Sequence, residues 1–186
     1  MSEPTTPLAA QIARLSLLKG RFTLRSGRIS SYYLDKYRFS TEPDVLAQLG
    51  PLFAARILEI SRAEAKFGPI TKLAGAELGG IPLVTVASLE TRIPAIFVRN
   101  SKKDYGTAQQ LEGNLEPGDR VILLEDVATT GGQALEAAEV IGNADARVVA
   151  VICTIDREEG AREAIQAAGM RFESLFTKRD LGISDD

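Results

Sequence analysis

The sequence predicts an α/β domain with a mostly parallel sheet that is covered by helices on both faces. After residue 70, short and wholly apolar runs alternate with segments of helical periodicity. Strands buried on both faces of a parallel sheet have such continuous apolar runs. The chain has 186 residues, of which 45% are hydrophobic and 25% are charged. This length and balance are typical of a single globular domain with a sizeable core.

The N-terminal residues predict a helix. Thr6 and Pro7 are typical of an N-cap followed by a first-turn proline. Apolar residues follow at helical spacing over 8–18, and Gly20 is expected to end the helix.

A small β-hairpin is predicted next. Residues 22–24 and 31–34 favour strands, and the turn 25–28 lies between them. We expect residues 1–40 to form a helix-and-hairpin hood over a core of residues 41–186, within one domain spanning 1–186.

The core is predicted to begin with a helix that Thr41 opens. Pro43 lies early in this helix, Asp44 lies three residues after the cap, and the apolar pattern continues to about Ile60. Strands and helical or apolar segments then alternate. The predicted strands are 72–75, 94–98, 121–124, 147–153 and 172–176, and the intervening segments are 81–89, 132–141 and 158–168.

Composition excludes several classes of function. The chain has no histidine, which rules out Ser-His-Asp triads, Cys-His dyads and histidine metal sites. A net charge of -3 argues against a general nucleic-acid surface. The N-terminus lacks a signal-peptide pattern, and no apolar run approaches the roughly 20 residues of a membrane span. We therefore expect a cytoplasmic protein with neither nucleic-acid nor membrane partners.

The segment 121–133 carries the strongest chemical signal. Four apolar residues lead into two adjacent acids, Glu125 and Asp126, and then into a Thr-Thr-Gly-Gly turn at 129–132 before a helix. Acids at a sheet edge need cations or hydroxyls as partners. A glycine-rich turn at a helix N-terminus binds phosphate through converging N–H groups. Together they suit a polyhydroxylated sugar phosphate.

This segment resembles the motif of the type I phosphoribosyltransferases, which bind phosphoribosyl pyrophosphate (PRPP). The resemblance implies that fold, with Glu125 and Asp126 holding the ribose hydroxyls. It implies a 5′-phosphate loop consisting of Ala128, Thr129, Thr130, Gly131, Gly132 and Gln133. The sequence has no Walker A lysine pattern, so a P-loop NTPase is disfavoured.

Four further segments resemble the branch of this family that uses orotate. They are 22–33, 75–83, 97–106 and 155–160, in the order of that branch. The resemblance implies an orotate site that consists of Arg157, Thr129, Tyr32 and Tyr33. It also implies a pyrophosphate turn that consists of Glu77, Leu78, Gly79, Gly80 and, from the hairpin, Arg25. An arginine fork matches the carboxylate that distinguishes orotate from uracil.

The resemblance further implies a mobile catalytic loop over 99–113. Its members Arg99, Lys102, Lys103 and Tyr105 would bind PRPP, and Lys103, Arg99 and Asp126 would be catalytic. The branch usually has lysine where Asn100 stands and histidine where Tyr105 stands. In that branch the loop acts on the partner's site of a homodimer. The expected cofactor is Mg²⁺, which PRPP would bridge and which Glu125 and Asp126 would reach through water.

Two alternatives remain open on the sequence. One is a phosphoribosyltransferase for another base, such as a purine, which the hairpin and Arg157 disfavour. The other is a non-catalytic PRPP-sensing regulator, for which the absent histidine is the best argument.

Overall fold

A six-stranded sheet forms the centre of the molecule. The computed structural model describes residues 3–23, 29–100 and 110–184. In the described chain the sheet consists of β3 (Lys72–Ala76), β4 (Ala95–Val98), β5 (Leu111–Glu112), β6 (Arg120–Ala128), β7 (Arg147–Asp156) and β8 (Arg171–Thr177). The helices are α1 (Pro7–Ser16), α2 (Lys36–Ser40), α3 (Pro43–Glu64), α4 (Gly80–Thr91), α5 (Gly132–Gly142) and α6 (Ala161–Ala167). Short 3₁₀ helices span Ala65–Phe67 and Arg179–Leu181.

The strand order of this sheet is β5-β4-β3-β6-β7-β8. Every neighbouring pair is parallel except β4 with β5, which is antiparallel. The strand β6 therefore lies inside the sheet, between β3 and β7, and its carboxyl end faces the loops that follow both neighbours. Ligands bind at this end of strands in open α/β sheets.

Two apolar clusters cover opposite faces of the sheet, as the sequence predicts. Alternate residues of β6 divide between them, with Ile122 and Leu124 in one cluster and Val121 and Leu123 in the other. The first cluster includes buried residues of α1, α3 and α4, and the second includes those of α5 and α6. This alternation is what a strand buried on both faces requires.

The predicted hairpin is confirmed, with β1 (Leu17–Thr23) antiparallel to β2 (Ile29–Leu34). Thr6 caps α1 through its side chain, as predicted. The helix, however, ends at Ser16, and Leu18 and Gly20 lie in β1. The helical spacing misled because Leu17 and Leu18 pair with β2 instead of continuing the helix.

The start of the core helix was also predicted wrongly. Thr41 is the C-cap of α2, a helix that the sequence pattern did not reveal, and its hydroxyl donates to the Tyr37 carbonyl. Glu42 takes the N-cap of α3 without a side-chain capping bond. Asp35 caps α2 by accepting from the Tyr37 N–H.

Two strands extend beyond their predicted ends. Pairing of β6 with β7 continues to Ala128 and Asp156. Glu125 and Asp126 therefore lie within β6 and not after it. Helix α6 begins at Ala161 rather than Glu158, which leaves 157–160 as a loop at the sheet edge. In the part of the chain that the structure describes, no helix combines the length and apolar character that crossing a membrane demands.

Candidate active site

Two buried acids lie at the carboxyl end of the inner strand β6. Glu125 is 3% exposed and Asp126 is 1% exposed. The Lys36 ammonium lies 3.0 Å from Asp126 Oδ2 and donates to Oδ1 at 3.2 Å. Oδ1 also accepts from the Val127 N–H at 2.6 Å. Asp126 is thus held from the hood side and from its own strand.

Glu125 lacks such support. Its Oε1 is buried and has no hydrogen-bond partner among the residues that the structure describes. Burial, reinforced by the negative charge of Asp126, raises the pKa of Glu125 to about 8, and Lys36 acts in the opposite direction. A buried oxygen without a hydrogen-bond partner costs stability. The Glu125 carboxyl is therefore suited to accept a hydrogen bond from a bound ligand.

Replacing Glu125 with glutamine should stabilise the fold by an amount that depends on pH. The raised pKa favours the protonated folded form, so the wild type loses stability as pH rises from about 4.5 to about 8. Glutamine cannot ionise and avoids that loss. The gain in unfolding free energy should therefore grow by up to about 1.4 kcal/mol per pH unit in this window.

Thermal and denaturant unfolding between pH 5 and 9 would measure this gain. Glu139→Gln, at an exposed position of α5, is the matched control and should show no such trend. A difference between wild type and Glu125→Gln that stays constant with pH would contradict the buried state of this carboxyl.

The predicted phosphate loop follows β6 directly. Gly131 adopts a left-handed conformation with φ 82° and precedes α5, whose N-terminus has no side-chain capping bond. A Cβ on Gly131 would also lie 3.3 Å from the backbone of Ala161. Thr129 is partly buried and Thr130 is exposed. The turn thus presents hydroxyls and a helix N-terminus to solvent, as phosphate binding needs.

The predicted pyrophosphate turn packs against the acids. A Cβ on Gly79 would lie 1.6 Å from Asp126 Oδ2, and one on Gly80 would lie 2.8 Å from the Leu124 carbonyl. Glycine is therefore required at both positions for the turn to approach β6. The peptide bond between Glu77 and Leu78 is cis, and Leu78 is exposed.

Side-chain hydrogen bonds join this turn to its neighbours. Gln133 of α5 donates to the Glu77 carbonyl at 3.0 Å. The Glu77 carboxylate accepts from the Asn100 N–H at 2.7 Å, at the start of the predicted catalytic loop. The phosphate loop, the pyrophosphate turn and the root of the loop are thus one connected group.

Arg157 and Tyr32 come together, as predicted for the orotate site. The Arg157 guanidinium donates to the Tyr32 hydroxyl at 3.4 Å and lies 5.8 Å from its ring centroid. Glu159 forms an ion pair with Arg157 at 2.8 Å. The Arg157 Nε is buried and has no hydrogen-bond partner within the described ranges. The backbone N–H of Arg157 donates to the Ala128 carbonyl at 2.9 Å.

Of the other two predicted orotate residues, Thr129 lies next to the loop that carries Arg157, whereas Tyr33 does not approach Arg157. Thr129 lies in the loop after β6, and its carbonyl accepts from the Ala161 N–H, so it borders the Arg157 loop. Tyr33 follows Tyr32 in β2 and therefore projects to the other face of the hairpin. It is 45% exposed and packs on Phe22, with ring centroids 5.7 Å apart. The structure does not bring Tyr33 to Arg157.

Only the root of the catalytic loop falls within the described residues. Arg99 lies after β4, with its Nη1 3.7 Å from Glu112 Oε1 and its backbone N–H bonded to the Gln110 carbonyl. Lys102, Lys103 and Tyr105 of the loop, and Arg25 of the hairpin turn, lie outside the described residues.

Lys36 is a site residue that the sequence did not predict. It lies on α2, which the sequence pattern did not predict, far from Glu125 and Asp126 in the chain. No recognisable motif surrounds it. The signal that points to it is chemical, because two adjacent buried acids need a nearby cation.

The acids are also the candidate metal contacts. Within 3–23, 29–100 and 110–184, no three acidic or cysteine side chains cluster as a metal site. The residues present nevertheless fit Mg²⁺, because this ion takes one or two carboxylates, retains water and binds substrate phosphates. The unpartnered Oε1 of Glu125 is suited to such a water.

Comparison with known proteins decides the family. Residues 50–172 match the phosphoribosyl transferase domain family. An orotate phosphoribosyltransferase of Natronomonas pharaonis is 44% identical over 162 residues, which cover 87% of each chain. This chain belongs to the orotate phosphoribosyltransferase family.

Solved structures of this family have the same fold. A crystal structure of the Mycobacterium tuberculosis orotate phosphoribosyltransferase in complex with Fe(III) dicitrate aligns with a TM-score of 0.78 and 35% identity, covering 95% of this chain and 97% of that one. A structure of the Mycobacterium tuberculosis enzyme in complex with PRPP aligns with a TM-score of 0.74 and 32% identity, with the same coverage. The predicted fold class, a type I phosphoribosyltransferase core with a small N-terminal hairpin, is confirmed.

Proposed function

We propose that this chain transfers the 5-phosphoribosyl group of PRPP to orotate, giving orotidine 5′-monophosphate and pyrophosphate in pyrimidine biosynthesis. The observation that carries the proposal is the hydrogen bond from the Arg157 N–H to the Ala128 carbonyl. It joins an arginine suited to a carboxylate to the loop suited to a sugar phosphate. A family relative crystallised with PRPP supports the same conclusion.

The geometry suggests how the two substrates would lie. The ribose hydroxyls would donate to Asp126 and Glu125, and the 5′-phosphate would occupy the turn over 128–133. The pyrophosphate would lie on the turn over 77–80, which packs against Asp126. The orotate carboxylate would meet Arg157, with Tyr32 beside the ring.

The reaction forms a bond from orotate N1 to ribose C1 as the bond from C1 to the pyrophosphate oxygen breaks. N1 releases its proton to solvent or to the departing pyrophosphate, on which negative charge builds. The protein's task is to position two anions and to stabilise the positive charge on the ribose and the negative charge on the leaving group. The buried acids would face the ribose, where positive charge develops. Mg²⁺, when bound with PRPP, would neutralise pyrophosphate oxygens.

Product analysis tests this function against the non-catalytic alternative. The purified chain is mixed with PRPP, orotate and Mg²⁺, and orotidine 5′-monophosphate and pyrophosphate are quantified. We expect equal amounts of both products over many turnovers. Tight PRPP binding with no product under these conditions would identify a PRPP-sensing regulator instead.

The enzyme is further proposed to act as a cytoplasmic homodimer in which each loop over 99–113 covers the partner's site. Complementation tests this arrangement with Lys103→Ala, which removes the loop's contribution, and Asp126→Asn, which removes that of the acids. Each variant alone should be nearly inactive. Mixed dimers hold one doubly altered site and one intact site, so re-equilibration should restore up to about a quarter of wild-type activity. No recovery after demonstrated subunit exchange would mean that the loop serves its own subunit.

A further inference from the structure

Lys36 brings a cation from the N-terminal part of the chain to the buried acids. It lies at the start of α2, directly after Asp35, whose side chain caps that helix. Its side chain is 29% exposed, whereas that of Asp126 is 1% exposed. The Lys36 side chain is therefore partly accessible to solvent, whereas its partner Asp126 is buried.

The ion pair lies at the junction of two proposed subsites. Asp126 belongs to the acids that face the ribose, yet its Oδ2 also lies against Gly79 of the pyrophosphate turn. The same Oδ2 is 3.0 Å from the Lys36 ammonium. Lys36 thus lies where the ribose would join the pyrophosphate, which is the bond that the proposed reaction breaks.

Substrate binding would create competition for Asp126. A carboxylate accepts from several donors, but Oδ1 already accepts from both Val127 and Lys36. The ribose hydroxyls would bring new donors, while the diphosphate would bring new acceptors within reach of a flexible lysine side chain. An ammonium with three donors can turn from one acceptor to another without moving its backbone.

We propose that Lys36 is a PRPP-binding residue that pairs with Asp126 in the empty site and turns to the diphosphate of PRPP when the ribose hydroxyls bind Asp126. This inference rests on the proposed function. Lys36 already lies beside Asp126, so it would provide positive charge at the site independently of the loop over 99–113.

Binding measurements with three ligands separate this role from a structural one. Isothermal titration with PRPP, ribose 5-phosphate and inorganic pyrophosphate, at a fixed Mg²⁺ concentration and without orotate, is applied to wild type and Lys36→Met. Ribose 5-phosphate has the hydroxyls and the 5′-phosphate but no diphosphate. We expect the variant to bind PRPP and pyrophosphate about 10- to 100-fold more weakly, since it loses a charge-assisted contact. Its affinity for ribose 5-phosphate should be unchanged or higher.

Two further variants complete the test. Lys66→Met removes the same charge at an exposed position, where the side chain lies over Phe67, and should leave all three affinities unchanged. Lys36→Arg keeps the charge and should keep most of the PRPP affinity, which also provides a folded comparison if Lys36→Met unfolds.

Three outcomes would overturn the inference. They are equal losses for PRPP and ribose 5-phosphate, unchanged affinity for PRPP, or a loss in Lys36→Arg as large as in a folded Lys36→Met. The first would make Lys36 a positioning residue for Asp126. A wild-type chain that bound no PRPP would instead refute the proposed function itself.

Discussion

Replacing Asp126 with asparagine should lower kcat by about 100-fold or more, the scale on which removal of one preorganised electrostatic group acts. The substitution keeps the side-chain volume but removes the charge that, in the proposed reaction, would face the ribose as positive charge develops. Asparagine Oδ1 can still accept from the Val127 N–H, a contact of 2.6 Å in the wild type. The change also relieves the proximity of two buried acids, so the fold should persist.

Steady-state kinetics and thermal unfolding of the same preparation would test this expectation. Asp145→Asn is the matched control, because Asp145 is exposed and has φ 58°, a conformation that asparagine tolerates. It should keep wild-type kcat. Full activity of Asp126→Asn, or unfolding of that variant, would each contradict the proposed role of this acid.

Replacing Arg157 with alanine should weaken orotate binding and leave PRPP binding nearly intact. Truncating one partner of a buried charge pair costs about 2–5 kcal/mol. The side chain of Arg157 is 16% exposed and already pairs with Glu159 at 2.8 Å. Because orotate must compete with or share that pairing, we expect a loss near the lower end, about 2 kcal/mol.

Separate titrations with orotate and with PRPP measure the change in each affinity. Arg171→Ala removes another arginine, which pairs with Glu173 at the start of β8, and should change neither affinity. If Arg157→Ala lost its affinity for PRPP and kept that for orotate, Arg157 would belong to the sugar-phosphate site instead.

The sequence predicted the site best where chemistry and chain order coincide. Glu125, Asp126 and the following turn lie in one continuous segment, so their residue types and spacing identify them together. Arg157 could be placed at the same edge because it follows another strand of a parallel sheet. The structure agrees, since Arg157 bonds to the backbone of Ala128.

The sequence failed where the folded structure, and not the local residue pattern, decides which residues are in contact. Helical spacing over 8–18 continued through Leu17 and Leu18, but pairing with β2 draws both into a strand. Lys36 lies 90 residues before Asp126, so nothing local links them. Glu159 follows Arg157 closely in sequence, yet only the folded loop shows that its carboxylate already pairs with the predicted orotate ligand.

Alternation along a strand explains the contrast between the two hairpin tyrosines. The family resemblance implies that both tyrosines bind orotate. Successive side chains of a strand, however, face opposite sides of the sheet. Tyr32 meets Arg157, and Tyr33 meets Phe22 on the other side. A sequence pattern without a known register cannot distinguish them.

Pyrophosphate release with different bases tests the central claim most directly. The chain is supplied with PRPP and Mg²⁺ and with orotate, uracil, adenine, guanine or hypoxanthine in separate reactions. Among these bases, we expect rapid pyrophosphate release only with orotate. Release with uracil should be slow, because uracil lacks the carboxylate that Arg157 would bind. Release with a purine or with uracil at a rate equal to or above that with orotate would contradict this account.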